Sequence, residues 1–257
     1  MFRFKAAQMQ RLERSLTAQF AVELAAHAQQ FAPAACDLMG PEALRQVVEQ
    51  GMERARGHGF DCRGALRFFL ELQLLLGSEF DTDPQYLALF ERDLQPSADP
   101  QLERADRLHE ILVAYIDAVS GPGHRLEAQA AQAALQWDYE RLQALGTRAP
   151  AEWAQALAVA YPAKAQVIGA NALQQLVEQA ANRARRGDPQ WREAGPLLAA
   201  LMFTFGHACV RDPQFGWIPA ALHGPHGEMP DAGLRRLHRR FMAFMQQTRD
   251  QLAAAAR

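Results

Sequence analysis

Shifting the sequence against itself by 129 positions brings GPEALRQVVEQGMERAR (Gly40 to Arg56) onto GANALQQLVEQAANRAR (Gly169 to Arg185) without a gap. The same offset sets Gly77 on Gly206, Asp83-Pro84-Gln85-Tyr86 on Asp212-Pro213-Gln214-Phe215, and Arg107-Leu108-His109 on Arg236-Leu237-His238. Seventeen of the forty-seven positions from Gly40 to Tyr86 are identical. A single register held this long reads as a tandem duplication. Its period exceeds the roughly 20 to 50 residues of solenoid repeats, so two duplicated units are expected rather than a stack.

Within each unit the apolar period is helical. Leu44, Val47, Val48 and Met52 form one stripe, and Leu173, Leu176, Val177 and Ala181 repeat it. The run from Arg63 to Leu76 is apolar nearly all round and stops at Gly77, as a buried central helix with a glycine end would; GPLLAALMFTF stops likewise at Gly206. Asp83-Pro84 and Asp212-Pro213 pair a capping carboxylate with a first-turn proline, and Asp99-Pro100 and Asp188-Pro189 repeat the signal. No alternating β-branched run calls for a strand.

The spacing predicts helices over 5–30, 41–57, 61–77, 83–94 and 100–119 in the first unit. For the second it predicts 130–146, 150–160, 170–186, 189–206, 212–222 and 231–255. The fold class is all-α, a tandem duplication of a roughly 129-residue helical unit packed as two pseudo-symmetric halves, 1–120 and 124–257. Ser120-Gly121-Pro122-Gly123 breaks the chain between them and is too short for a free linker.

Composition narrows the class. With 257 residues, 49% hydrophobic and 22% charged, the chain can build one or two cores and is not a disordered, collagenous or disulfide scaffold. Cys36, Cys62 and Cys209 are odd in number and far apart, which suits a reducing compartment. The longest apolar-rich segment, Leu66 to Leu76, is about half the length that spans a bilayer and holds Glu71. A cytoplasmic protein without membrane contact is expected.

The net charge of −2 conceals an asymmetry. Residues 1–128 carry 13 Lys+Arg against 19 Asp+Glu, and 129–257 carry 14 against 10, so the halves stand at −6 and +4. That split argues against one continuous basic face for nucleic acid and leaves an acidic half able to attract a basic partner. Lysine occurs only at Lys5 and Lys164.

GHGFDCRGALRFFLELQLLLGSEFDTDPQY, with Gly-Phe before an aromatic-rich helix, then Leu-Leu-Gly and Phe-Asp-x-Asp-Pro, resembles small bacterial helical proteins encoded beside type VI secretion effectors and their spike genes. The resemblance spans chiefly residues 40–118. The second unit departs from it, with Cys209-Val210-Arg211 in place of Phe80-Asp81-Thr82, so no role of the acidic loop transfers there. What the resemblance implies is a cytoplasmic accessory of a secreted toxin, either an immunity protein that blocks it or a chaperone that escorts it to the spike. It brings no catalytic residues and no cofactor.

The residues themselves offer little chemistry. Asp81, Asp83 and Gln85 begin like a calcium loop, but Tyr86 stands where that loop needs Gly and Arg92 where it needs Glu. His223 and His226 with Glu228 lie in a Gly-Pro loop that fixes too few zinc ligands, and His207 with Cys209 has no second ligand pair. No metal site is expected. No serine sits in a nucleophile elbow, and SGPGH lacks the Lys-Ser/Thr of a phosphate loop. The chain reads as a non-enzyme. His109 and His238, matched in the repeat, are expected to pack or hydrogen-bond.

The segment Glu71 to Glu110 holds ten acids (Glu71, Glu79, Asp81, Asp83, Glu91, Asp93, Asp99, Glu103, Asp106, Glu110) against three arginines. A solvated helical surface is the plain reading. The functional one is an electrostatic landing surface for a toxin with a basic active-site cleft, such as a nuclease, centred on Glu79, Asp81, Asp83, Glu91 and Asp93. Asp83 is also explained by helix capping alone, since Asp212 repeats it.

Overall fold

The computed structural model describes residues 6–186, 191, 194–223 and 231–255, which form helices and turns with no strand among them. The helices are α1 (Ala6–Phe31), α2 (Pro33–Gly57), α3 (Arg63–Leu76), α4 (Pro84–Leu94), α5 (Gln101–Ser120), α6 (Arg125–Ala134) and α7 (Tyr139–Gly146). They continue as α8 (Pro150–Ala160), α9 (Pro162–Ile168), α10 (Ala170–Arg186), α11 (Gly195–Phe205), α12 (Trp217–Leu222) and α13 (Ala232–Ala255). None is long and apolar enough to cross a membrane.

Prolines and glycines set the breaks. Pro33 starts α2, and Gly40 kinks it at φ +78° one residue before Pro41. At Gly169 the same turn, φ +82°, ends α9 and admits α10. The helix expected over 41–57 is the part of α2 after the non-helical Gly40, and the short stretch before that kink, like α9 before Gly169, is a helix the periodicity did not show. The helix expected over 130–146 is two, α6 and α7, because Asp138 caps a fresh start by accepting the N–H of Arg141 at 2.7 Å. The helix expected over 212–222 is a 3-10 turn at Pro213–Phe215 succeeded by the short α12. Of the stretch expected over 189–206, α11 begins at Gly195, and the Asp188-Pro189 signal lies outside the described residues.

The two central helices differ in burial: α3 leaves Leu75 48% exposed and Phe68 and Leu74 half-buried, so it is one-sided where its sequence suggested burial all round. On α3, Leu66, Phe69, Leu70, Leu72 and Leu76 are inside, and α11 is inside at every position but Thr204. Leu72 and Leu201 are each 0% exposed. The main core runs continuously from Ala55 to Met245 across both halves of the chain, and a smaller one joins Leu24, Ala28, Cys36, Val47, Val48, Met52 and Leu70 under α1. Cys36 and Cys209 are buried and Cys62 is half-buried, all three as free thiols.

Residues 129 positions apart share backbone geometry and exchange partners across the middle of the molecule. Gly77 (φ +99°, ψ 152°) and Gly206 (φ +93°, ψ 154°) end α3 and α11, while Asp83 (φ −76°, ψ 124°) caps α4 and Asp212 (φ −71°, ψ 124°) caps the turn before α12. Asp83 Oδ2 accepts the N–H of His207 at 2.6 Å, while Asp212 Oδ2 accepts the N–H of Ser78 at 2.7 Å. Gln85 Nε2 donates to the carbonyl of Met202 at 3.1 Å, and Gln214 Nε2 donates to that of Gln73 at 2.9 Å. α10 packs on α4, and α2 packs on the Pro213–Phe215 turn.

Candidate functional site

The carboxylates singled out in the sequence divide between interior and surface. Asp83 is 1% exposed: beside the His207 contact, its Oδ1 accepts the N–H of Gln85 at 2.9 Å, so both oxygens are spent on backbone donors. Asp81 is buried at the end of α2, with Arg54 on Oδ1 (2.6 and 3.0 Å) and His58 Nε2 on Oδ2 at 2.7 Å. Burial pushes its carboxyl up, but the bonds from His58 and Arg54 outweigh this and hold it below the ordinary value. Asp93 is buried and takes Arg107 Nε at 2.6 Å. A partner docking from solvent therefore does not meet Asp81, Asp83 or Asp93.

Glu79 and Glu91 stay at the surface. Glu79 is half-buried and held by a two-pronged contact from Arg211, Nε to Oε1 at 2.8 Å and Nη2 to Oε2 at 2.6 Å. Those bonds lower its carboxyl despite partial burial. Glu91 is exposed on α4 and receives Gln95 Nε2 at 3.3 Å. The segment's solvent-facing acids gather instead on α5, where Glu103, Asp106, Glu110 and Asp117 are exposed at helical spacing with Leu102 and Val113 among them. None of these four acids forms an ion pair with a described residue. Arg107, at the edge of this face, is engaged by Asp93 and Asp99.

Two features of the interior escaped the sequence reading. Arg104 is 2% exposed; it donates to the carbonyls of Asp93, Leu94 and His58 at 2.9 Å each and lies over the Phe60 ring. Lys164 is buried between the halves, donates to the Phe203 carbonyl at 2.5 Å, and lies near the rings of Phe203 and Tyr86. Desolvation pushes its amine down to about 8, against the pull of Asp83. The scarcity of lysine in the sequence was the available signal, since an arginine could have stood there as elsewhere.

A cleft of about 520 Å3 opens beside the Asp83–His207 contact, lined by Gln179, Asn182, Arg183, Arg186, His207 and Arg211. Arg183 donates to the His207 carbonyl at 3.2 Å, and burial together with the charge of Arg211 lowers its guanidinium. The buried His207 ring turns Nδ1 toward Asp83 Oδ2 at 3.4 Å, without hydrogen-bond geometry, and Nε2 toward Glu79 Oε2 at 3.9 Å.

The histidines of the repeat differ in use. His109 is exposed and sits edge-on to Phe68, whereas His238 is buried with Nε2 2.7 Å from the Trp137 carbonyl. His223 is exposed near the Pro219 carbonyl; His226 and Glu228 lie outside the described residues. Among the described residues no group of three or more His, Cys, Asp or Glu is placed to hold a metal ion. No family model, no curated protein and no solved structure matches the chain.

Proposed function

We propose that this chain is an immunity-type protein that binds and neutralises a cognate toxin delivered by type VI secretion and acting in the cytoplasm, a nuclease-like enzyme with a basic cleft. The observation that supports the reading is the outer face of α5. Glu103, Asp106, Glu110 and Asp117 present four carboxylates free of ion pairs with described residues, beside Leu102 at 56% and Val113 at 43% exposure. An acidic face with apolar side chains along one edge is complementary to a basic cleft: the charges speed and orient the encounter, and the apolar side chains hold the docked state. Glu91, exposed on neighbouring α4, adds a carboxylate of the same sign, whereas Glu79 is neutralised by Arg211. Asp81 and Asp93 serve by bracing this half of the fold, and Asp83 by joining it to the other half through His207.

The two halves, 1–120 and 124–257, are read as copies of one unit of roughly 129 residues related by pseudo-symmetry. Matched angles at Gly40 and Gly169, Gly77 and Gly206, and Asp83 and Asp212 support this, as do the exchanged hydrogen bonds. In this reading the first copy specialised in charge and the second kept the scaffold.

The test is co-purification with the product of the adjacent gene, and then association kinetics against ionic strength. A 1:1 complex whose association slows as salt rises past about 0.15 M, where the Debye length is about 8 Å, fits the proposal. A salt-independent rate contradicts it. A complex that requires the secretion spike and gives no protection assigns the chain to escort instead.

A further inference from the structure

We propose that the cleft between α10 and the loop after α11 binds a small molecule carrying two or more oxyanionic groups, phosphate or carboxylate. The argument comes from positions 129 apart. Arg54, near the end of α2, is neutralised by the buried carboxylate of Asp81. Arg183 holds the matching place on α10, but the residue that matches Asp81 is Val210. The second half thus keeps the guanidinium and lacks its internal counter-ion. Arg183 makes no ion pair with a described carboxylate and instead borders a cleft with Arg186 and Arg211.

The surroundings fit an anionic occupant. Arg186 is exposed with no partner among the described residues, and Arg211 shares its carboxylate, Glu79, with the nearby His207 ring. Gln179 and Asn182 add side-chain amides to the lining, while both ring nitrogens of the buried His207 face carboxylates, Nδ1 toward Asp83 at 3.4 Å and Nε2 toward Glu79 at 3.9 Å. Three guanidiniums against one shared carboxylate leave a net positive cleft, and planar N–H forks match carboxylate and phosphate oxygens in pairs. The space of about 520 Å3 is shallow and open to solvent, so an occupant would be held by the charged side chains around it rather than by enclosure. Basic side chains at the end of α10 also complement the helix dipole, and Arg185 is bonded to Asn182 in that role. The dipole does not account for Arg211, which converges on the same cleft from a different segment. This inference stands apart from the proposed toxin binding, which uses the opposite charge on α5.

Calorimetric titration of the full chain with inorganic pyrophosphate and, separately, with citrate tests it, with ionic strength held constant by chloride. Saturable binding is expected, and the tighter of the two probes identifies phosphate or carboxylate as the group recognised. Arg186→Gln, at an exposed position, should weaken binding about tenfold, the scale of a lost charge-assisted contact. Val210→Asp should do the same by giving Arg183 the internal carboxylate that Arg54 already has, while the far-ultraviolet spectrum stays that of the parent. Arg92→Gln, exposed on α4, should leave binding unchanged. Absence of saturable binding to both probes overturns the proposal, as does unchanged affinity in both Arg186→Gln and Val210→Asp.

Discussion

Asp83 reaches across the middle of the molecule to accept the backbone N–H of His207 at 2.6 Å, and Asp212 returns the contact to Ser78 at 2.7 Å. Each carboxylate also caps its own turn through Gln85 or Gln214. Removing either strands a buried N–H and uncaps the turn, so Asp83→Ala and Asp212→Ala should each cost at least about 1.5–3 kcal/mol. Because both contacts close one interface, their effects should couple. A double-mutant cycle in urea that gives strict additivity would show the two crossings to be independent.

Gly77 and Gly206 meet at the same place. Gly77 has φ +99°, and a β-carbon there would stand 2.8 Å from the Phe205 carbonyl oxygen. Backbone strain alone costs about 1–3 kcal/mol for a side chain in this region, and the clash adds to it. Gly77→Ala should therefore lower the melting temperature clearly, whereas Gly57→Ala, with open space around it, should not. Equal melting temperatures for the two variants would refute the close approach.

Leu72 and Leu201 occupy the centres of α3 and α11 and are both fully buried. Truncation to Ala should cost about 2–5 kcal/mol at either position, through lost burial and the cavity left behind. Denaturant unfolding of the two variants checks this, and a parental midpoint for either would remove that helix from the core.

Much of this was legible in the sequence, for a physical reason: the capping aspartates, terminal glycines and apolar stripes act locally, and the 129-residue offset displayed each twice. The fate of individual carboxylates was not legible. Asp81, Asp83 and Asp93 differ from Glu103 and Glu110 only in what folds over them, and Arg54, His58, Arg107 and His207 reach them from 14 to 124 residues away. The exception was Asp83, whose match to Asp212 pointed to capping. The cleft at Arg183 was legible in principle, because the retained arginine and the replaced aspartate both appear in the alignment of the two halves. The break between α6 and α7 was hidden because Ala-rich helical spacing continues through it.

Lys164 sets a pH dependence whose sign comes from its burial. Its amine, pushed down to about 8, binds a proton less tightly in the folded chain than in the unfolded one, where the ordinary value is 10.5. The resulting penalty, roughly 3 kcal/mol, is fully present below pH 8 and is relieved as pH rises from 8 toward 10.5. Lys164→Met should therefore be more stable than the parent at pH 7, with the gap narrowing by pH 10. Comparing the two proteins at each pH removes the contributions of Tyr86, Tyr115 and Tyr161, all raised by burial and common to both. A gap that stays constant from pH 7 to 10 would show that Lys164 does not titrate in this window.

The outer face of α5 carries the central claim, and survival of cells expressing the toxin proposed as its partner tests it most directly. The parent chain should protect, and a variant combining Glu103→Lys, Asp106→Lys and Glu110→Lys should lose protection while keeping its helical spectrum and melting cooperativity. All three positions are exposed and unpaired with described residues, so the reversal leaves the core intact. Full protection by the folded, charge-reversed variant, or no protection by the parent, would contradict the account.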